Sequence, residues 1–119
     1  MANTSQGRRG RLPAGALLLL ALTCASYLPA LRGGYVWDDE AHITQNRALW
    51  EPGGLARIWR NPLATPQYYP AVHTVFWLEY LLWGLRPLGY HAVNILLHAT
   101  NALLLWLVLR RLALPGGFL

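Results

Sequence analysis

Lysine is absent from this chain, and charge of either sign is scarce. Only 13% of the 119 residues are charged, about half the share of an ordinary soluble domain, and all ten positive residues are arginine. Hydrophobic residues make up 55% of the chain. This composition is typical of a membrane protein. The net charge of +5 does not indicate nucleic-acid binding, because the excess arginines lie at the two ends of the sequence.

Cysteine and metal-binding patterns are also lacking. Cys24 is the single cysteine, so no internal disulfide can form. The twelve-residue calcium-loop pattern is absent, and no spacing of His, Cys and carboxylate residues is typical of metal ligands. We therefore assign no metal site and no cofactor from the sequence.

Two runs of 18 residues, 14–31 and 92–109, contain no charged residue. A helix of that length spans about 27 Å, close to the hydrocarbon thickness of a bilayer. A pair of buried core helices is the alternative, but the remaining chain is too short to cover two such helices. The first run could instead be a signal peptide cleaved near Cys24. It continues apolar to Leu31, which favours a retained membrane anchor.

Charge at the ends of the two runs predicts the topology. Arginines precede the first run and follow the second, whereas the segment between Arg32 and His91 carries five arginines and all five acids. By the positive-inside rule, both ends are expected in the cytoplasm. We predict an all-α membrane fold with a basic cytoplasmic tail, a transmembrane helix, an extracytoplasmic loop with juxtamembrane helices, a second transmembrane helix and a cytoplasmic end, at 1–12, 13–31, 32–89, 90–112 and 113–119.

A third apolar helix is predicted inside the loop. Pro70 suits a first helical position, and the apolar stretch 71–84 that follows is too short to span a bilayer. Its Trp77, Tyr80 and Trp83 suit the bilayer interface, where amphipathic rings collect. We therefore expect a juxtamembrane helix on the outer side.

Three of the five acids stand together in "WDDEAH" at 37–42. Neighbouring carboxylates repel one another and cost energy when they are buried. The cluster has three interpretations: a solvated loop in which Asp38 or Asp39 caps a short helix over 40–49, a site for a divalent cation, or a site that holds a general base. A carboxylate beside two others has a raised proton affinity, which suits a base. The residues alone leave all three open.

Four polar residues follow one face of the last predicted helix at spacings of three and four: His91, Asn94, His98 and Asn101. One interpretation is hydrogen bonding between spanning helices, which fits the deeper pair, His98 and Asn101. The other is a functional site, because polar side chains within a membrane usually face protein or water. His91 and Asn94 lie at the outer end, on the same side as the acidic cluster.

The ordered segments "YVWDDEAHITQN" and "YYPAVHTVFWLEYLLWGLRPLGYHAVNILLHATNALLL" resemble the N-terminal region of the transmembrane and tetratricopeptide-repeat O-mannosyltransferases and their bacterial relatives. That family belongs to the integral-membrane glycosyltransferases with the C-type fold. The resemblance covers roughly residues 30–112. Because the family has around ten or more spanning helices, it implies that this chain is the N-terminal fragment of a larger fold and is inactive alone.

The resemblance also implies roles for individual residues. Asp39 aligns with the Asp of the family's Asp-Glu pair and is the first choice for the base that accepts a proton from the acceptor hydroxyl. Asp38 is the alternative, because relatives with an Asp-Asp pair allow an alignment that is shifted by one residue. The remaining residues are expected to bind substrate or border the active site: Glu40, His42, Tyr69, His73, His91 and Asn94.

The implied reaction moves a sugar, mannose by resemblance, from a polyprenyl- or dolichyl-phosphate donor to a hydroxyl on a protein Ser or Thr or on a glycan. The expected partners are membrane lipid, the lipid-linked donor and the acceptor, with no nucleic acid. The expected location is the bacterial inner membrane or the endoplasmic reticulum. The rival hypothesis is a two-helix membrane scaffold or assembly subunit without catalysis, so the chain's own enzyme status stays open.

Overall fold

The computed structural model describes residues 14–112. Helices make up the described part, which contains no strand. The α-helices are α1 (Ala14–Tyr27), α2 (Gly54–Arg60), α3 (Pro70–Trp83) and α4 (Pro87–Arg111). The predicted tail at 1–12 and the predicted cytoplasmic end at 113–119 lie outside the described residues.

Two segments are long and apolar enough to cross a membrane, Ala14–Arg32 and Pro87–Arg111, each with a mean hydropathy of 1.8. Only 6% of the residues in each span are buried within the chain. Large leucine side chains on both segments are therefore exposed, and a lipid environment is the one that such a surface suits. The predicted all-α membrane fold is confirmed.

The α-helical part of the first span ends at Tyr27 and continues as a 3₁₀ turn over Leu28–Arg32. Pro29 lies in this turn. Its nitrogen carries no hydrogen and cannot donate to the carbonyl four residues earlier, which explains the change of helix type.

The described chain divides into two compact units. One contains α1 together with α4 from Ile95 onwards, and the other is Leu28–Asn94. In the first unit, the Tyr27 ring packs edge-on against His98, with ring centroids 4.8 Å apart. His98 therefore contacts the first spanning helix, but through ring packing rather than through the predicted hydrogen bond.

The second unit has a small apolar core around the short helices of the loop. Its buried residues are Ile43, Ala48, Leu49, Ile58 and Tyr90, and aromatic rings of α3 pack against them. Gly54 begins α2 so close to this core that a Cβ atom there would overlap the carbonyl oxygen of Ala48. Glycine is thus the residue that allows α2 to pack on the preceding turn.

The single short helix predicted over 40–49 is wrong. The chain instead forms one π-helical turn at Glu40–Thr44 and a separate 3₁₀ turn at Arg47–Leu49. Asn46 separates them, since its side chain accepts from the Ala48 N–H at 3.1 Å and donates to the His42 carbonyl at 3.1 Å. An Asn side chain that bonds neighbouring backbone competes with helix continuation.

The apolar helices α3 and α4 both begin at prolines. α3 begins at Pro70, as predicted. α4 begins at Pro87 rather than near Tyr90. Proline suits the first helical turn, where its missing N–H has no helical partner to lose.

Candidate functional site

The acidic motif begins within a tight turn over Val36–Asp39. The Asp39 N–H donates to the Val36 carbonyl at 3.2 Å, and Asp39 Oδ2 accepts from the Val36 N–H at 3.0 Å. Inside the turn, Trp37 has a φ of 56° and its side chain is 92% exposed. A bulky residue in the left-handed region is uncommon and costs backbone energy. The Asp39 carboxylate offsets that cost by closing the turn.

This geometry changes the expected capping role. Asp39 stands at the N-cap position of the Glu40–Thr44 turn, but its side chain makes no capping hydrogen bond there. The carboxylate reaches back to Val36 instead. One Asp39 oxygen is therefore committed to the backbone, and the other has no such partner within the described residues.

Asp38 has a different environment. Its side chain is 80% exposed, and its Oδ2 lies 3.9 Å from Nε2 of His42, one turn further along. The Asp38 carbonyl accepts from the His42 N–H at 3.0 Å, which places the two side chains on one side of the turn. The structure thus brings one acid of the motif next to a predicted site histidine.

His42 connects the motif to α3. Its Nδ1 lies 3.1 Å from Nε2 of His73, and the two rings are stacked. His73 is fully buried, and its Nδ1 lies 3.0 Å from the carbonyl oxygen of Tyr69. Burial lowers the pKa of His73, so this ring is neutral near pH 7. Four of the predicted site residues, Asp38, His42, Tyr69 and His73, therefore form one continuous series of contacts.

The other predicted residues lie apart from that series. Nε2 of His91 donates to the Gly34 carbonyl at 3.2 Å, which ties the start of α4 to the beginning of the loop. Glu40 and Asn94 are exposed, and within residues 14–112 their side chains make no hydrogen bond. The Tyr69 side chain is 52% exposed, and it is the backbone carbonyl of this residue that contacts His73.

Sequence reasoning missed Glu79 as a residue of interest. It lies on α3, is only 4% exposed, and burial raises its pKa from 4.5 to about 7. The signal was present in the sequence, because Glu79 is the one acid in the apolar stretch 71–84. Burial, followed by the negative charges of Asp39 and Glu79, raises the pKa of Tyr35. The acidic motif and the buried glutamate therefore act electrostatically on the same tyrosine.

Two surface grooves of the second unit lie elsewhere. One, of about 310 Å³, is lined mainly by residues 49–55 with Trp77 and Tyr80, and the other, of about 320 Å³, by residues from 41–47 and 63–66. Neither groove is lined by a predicted site residue. Within residues 14–112, no group of three or more His, Cys, Asp or Glu residues is arranged to hold a metal ion.

Comparisons with known proteins decide the family. The chain is 37% identical over 101 residues to Protein O-mannosyl-transferase Tmtc1 of Drosophila melanogaster, an alignment that covers 77% of this chain. It is 35% identical over 116 residues to Protein O-mannosyl-transferase TMTC1 of Mus musculus, which covers 87% of this chain. The chain belongs to the protein O-mannosyl-transferase family. This confirms the resemblance to the transmembrane and tetratricopeptide-repeat O-mannosyltransferases.

The aligned region is a small part of each relative. It covers 12% of each of these two O-mannosyl-transferases, and 14% of Protein O-mannosyl-transferase Tmtc3 of Drosophila melanogaster, to which the chain is 32% identical over 128 residues. No family model matches the chain. No solved structure matches it either.

Proposed function

We propose that this chain is the N-terminal part of a membrane mannosyltransferase that glycosylates protein Ser or Thr hydroxyls. The donor is mannose linked to a polyprenyl or dolichyl phosphate. Asp39 is the base that takes the proton from the acceptor hydroxyl, and Asp38 is the alternative. The acidic motif, which directly follows the first spanning segment in an O-mannosyl-transferase chain, is the observation that carries this proposal.

The position of the acidic motif, just after the first spanning segment, suits this reaction. A lipid-linked donor stays in the membrane, whereas a protein acceptor arrives from water. Asp38 is exposed, and Asp39 has one oxygen that is not held by the Val36 N–H. A carboxylate at a wet surface beside a membrane segment can meet both substrates and accept a proton as the new bond forms.

Transfer from a lipid-linked donor tests the proposal. We expect the intact protein in proteoliposomes to move radiolabelled mannose from dolichyl-phosphate mannose onto a Ser- and Thr-rich acceptor protein. Omission of the acceptor or replacement of its Ser and Thr residues by Ala is the control. Transfer from a nucleotide sugar but not from the lipid donor would show that the donor class is wrong.

The proposed orientation places both ends of the chain in the cytoplasm and the loop outside it, at the endoplasmic reticulum or a bacterial inner membrane. Gln45 is exposed in the loop and suits a probe position. In a Cys24→Ser background, we expect Gln45→Cys to react with an impermeant maleimide from the extracytoplasmic side of sealed membranes. Reaction only after the cytoplasmic side is opened would reverse the orientation.

The two-helix scaffold remains the rival function from another class. The O-mannosyl-transferase relatives do not favour it, since they are named as transferases. A scaffold predicts no transfer with any mannose donor, under conditions where the protein is inserted and folded.

A further inference from the structure

The contact series from Tyr69 to Asp38 determines which histidine nitrogens carry hydrogen. The Tyr69 carbonyl can only accept, so Nδ1 of His73, 3.0 Å away, must donate to it. A neutral His73 then has an unprotonated Nε2, which can only accept. His42 Nδ1, 3.1 Å away, must donate to that nitrogen.

The consequence for His42 is a single neutral tautomer. With Nδ1–H committed to His73, the lone pair of neutral His42 is on Nε2. This nitrogen lies 3.9 Å from Asp38 Oδ2, and the His42 side chain is 14% exposed. The basic atom of His42 therefore faces the acidic motif at 3.9 Å, which is longer than a hydrogen bond, so proton transfer requires a small rotation of the exposed Asp38 side chain or a bridging water.

From this geometry we infer that His73 is a positioning residue that fixes the tautomer of His42, so that His42 Nε2 receives the proton which the acidic motif removes from the acceptor hydroxyl. The inference rests on the proposed function for its reaction. The tautomer itself rests on the contacts between Tyr69, His73 and His42.

The acceptor O–H bond breaks and its oxygen bonds to C1 of the mannose, while the bond from C1 to the donor phosphate oxygen breaks and the lipid phosphate leaves with that electron pair. A carboxylate of the acidic motif gains the proton, and Asp38, whose Oδ2 lies 3.9 Å from His42 Nε2, is the one that can pass it on. A neutral imidazole is a stronger base than a carboxylate, so the proton passes on to His42 Nε2 and from the imidazolium to water. The acidic motif is then charged again for the next turnover.

The surroundings of His42 are compatible with this role. The titratable groups that face it are Asp38, from the turn before it, and His73, from α3. These two residues contact the two ring nitrogens of His42, Asp38 on the Nε2 side and His73 on the Nδ1 side. Phe76 packs edge-on against His73, at 5.9 Å between ring centroids, and helps to hold the buried ring.

Paired substitutions of His73 separate positioning from packing. His73→Phe keeps a ring in the core but cannot accept from His42 Nδ1–H, and we expect the rate of mannose transfer to fall about 10-fold or more. His73→Gln supplies an amide oxygen that can accept this hydrogen, so we expect it to stay within about threefold of wild type. Equal losses of transfer rate in both variants would overturn the inference, because the ability of residue 73 to accept the His42 Nδ1–H hydrogen bond would then make no difference.

The energetic coupling between His42 and His73 and the pH dependence of the transfer rate provide two further readouts. If His73 acts through His42, adding His73→Phe to His42→Phe should reduce the rate no further. The acid limb of the pH–rate profile should move in His73→Phe and stay in place in His73→Gln. A wild-type pH profile in His73→Phe, or additive losses in the double variant, would overturn the inference.

An activity-independent measurement distinguishes failure of this inference from failure of the proposed function. In the intact protein with ¹⁵N-labelled histidine, we expect the His42 nitrogen shifts to report the Nδ1–H tautomer in wild type and a mixture in His73→Phe. His42→Gln assigns the resonance. An Nε2–H tautomer in wild type would overturn the positioning role. The expected tautomer in a protein that transfers no mannose would leave the positioning intact and reject the reaction.

Discussion

Asp39→Asn is expected to reduce mannose transfer by about 10²- to 10⁴-fold, the range that general-base catalysis contributes. An amide cannot take the proton from an acceptor hydroxyl. It still offers an oxygen to the Val36 N–H, so the turn that Asp39 closes at 3.0 Å should survive the substitution. The measurement is the transfer rate from dolichyl-phosphate mannose, with the amount of membrane-inserted protein determined in parallel.

Two comparisons make the Asp39 result specific. Asp39→Ala removes both the base and the turn contact, so a loss of folded protein in that variant alone would separate the two roles. Glu51→Gln is the matched charge control, because Glu51 is paired with Arg47 and Arg57 in the same loop and an exposed pair contributes at most about 1 kcal/mol. Normal turnover in both Asp39→Asn and Asp38→Asn would reject a general base in this motif.

The second large effect is a pH-dependent gain in stability for Glu79→Gln. Glu79 is 4% exposed, and burial raises its pKa from 4.5 to about 7. Below about pH 4.5 both folded and unfolded states hold the proton, and Glu79 contributes nothing to the pH dependence. Between about pH 4.5 and 7 the unfolded state ionises first, so stability falls as pH rises, and above about pH 7 the full cost is about 3 kcal/mol.

Gln has no proton to lose, so Glu79→Gln should match the wild type at about pH 4 and be more stable by up to about 3 kcal/mol at about pH 8. Denaturant unfolding of the intact protein in detergent at these two pH values measures the difference. Glu51→Gln is the matched control, because it makes the same change at a partly exposed glutamate that is paired with arginine. Equal pH slopes in wild type and Glu79→Gln would contradict a buried, proton-holding carboxyl.

Glu79 also has a place in the electrostatics of the site. A negative charge there raises the pKa of Tyr35, as does Asp39. Because burial raises the pKa of Glu79 to about 7, this residue carries less than a full negative charge near neutral pH, and its effect on Tyr35 weakens as the pH falls.

The long apolar elements were predictable from the sequence because their signals are local. Runs 14–31 and 92–109 are uncharged, and a helix satisfies all its own backbone hydrogen bonds, so apolar length alone indicates a span. The start of α3 at Pro70 follows from a local rule in the same way. The acidic motif was equally visible, since three carboxylates in sequence need no partner from elsewhere to be noticed.

The sequence-based predictions that were wrong lie where several local hydrogen-bonding patterns compete. The predicted helix over 40–49 divides at Asn46, whose side chain bonds the Ala48 N–H and the His42 carbonyl. The predicted capping role of Asp39 is replaced by its contact with Val36. In both places a short polar side chain can form hydrogen bonds with several nearby backbone groups, and these alternatives have similar energies. The sequence alone does not show which hydrogen bond forms.

The sequence by itself determined a membrane chain with two spans, an acidic motif after the first of them, and a set of histidines and asparagines with candidate roles. Only the tertiary structure decided which of these residues meet. His42 and His73 are 31 positions apart, and their nitrogens come within 3.1 Å because α3 packs on the loop that carries the acidic motif. Spacing along one helix or turn is a local property, whereas the partner of a buried imidazole is set by the packing of separate elements.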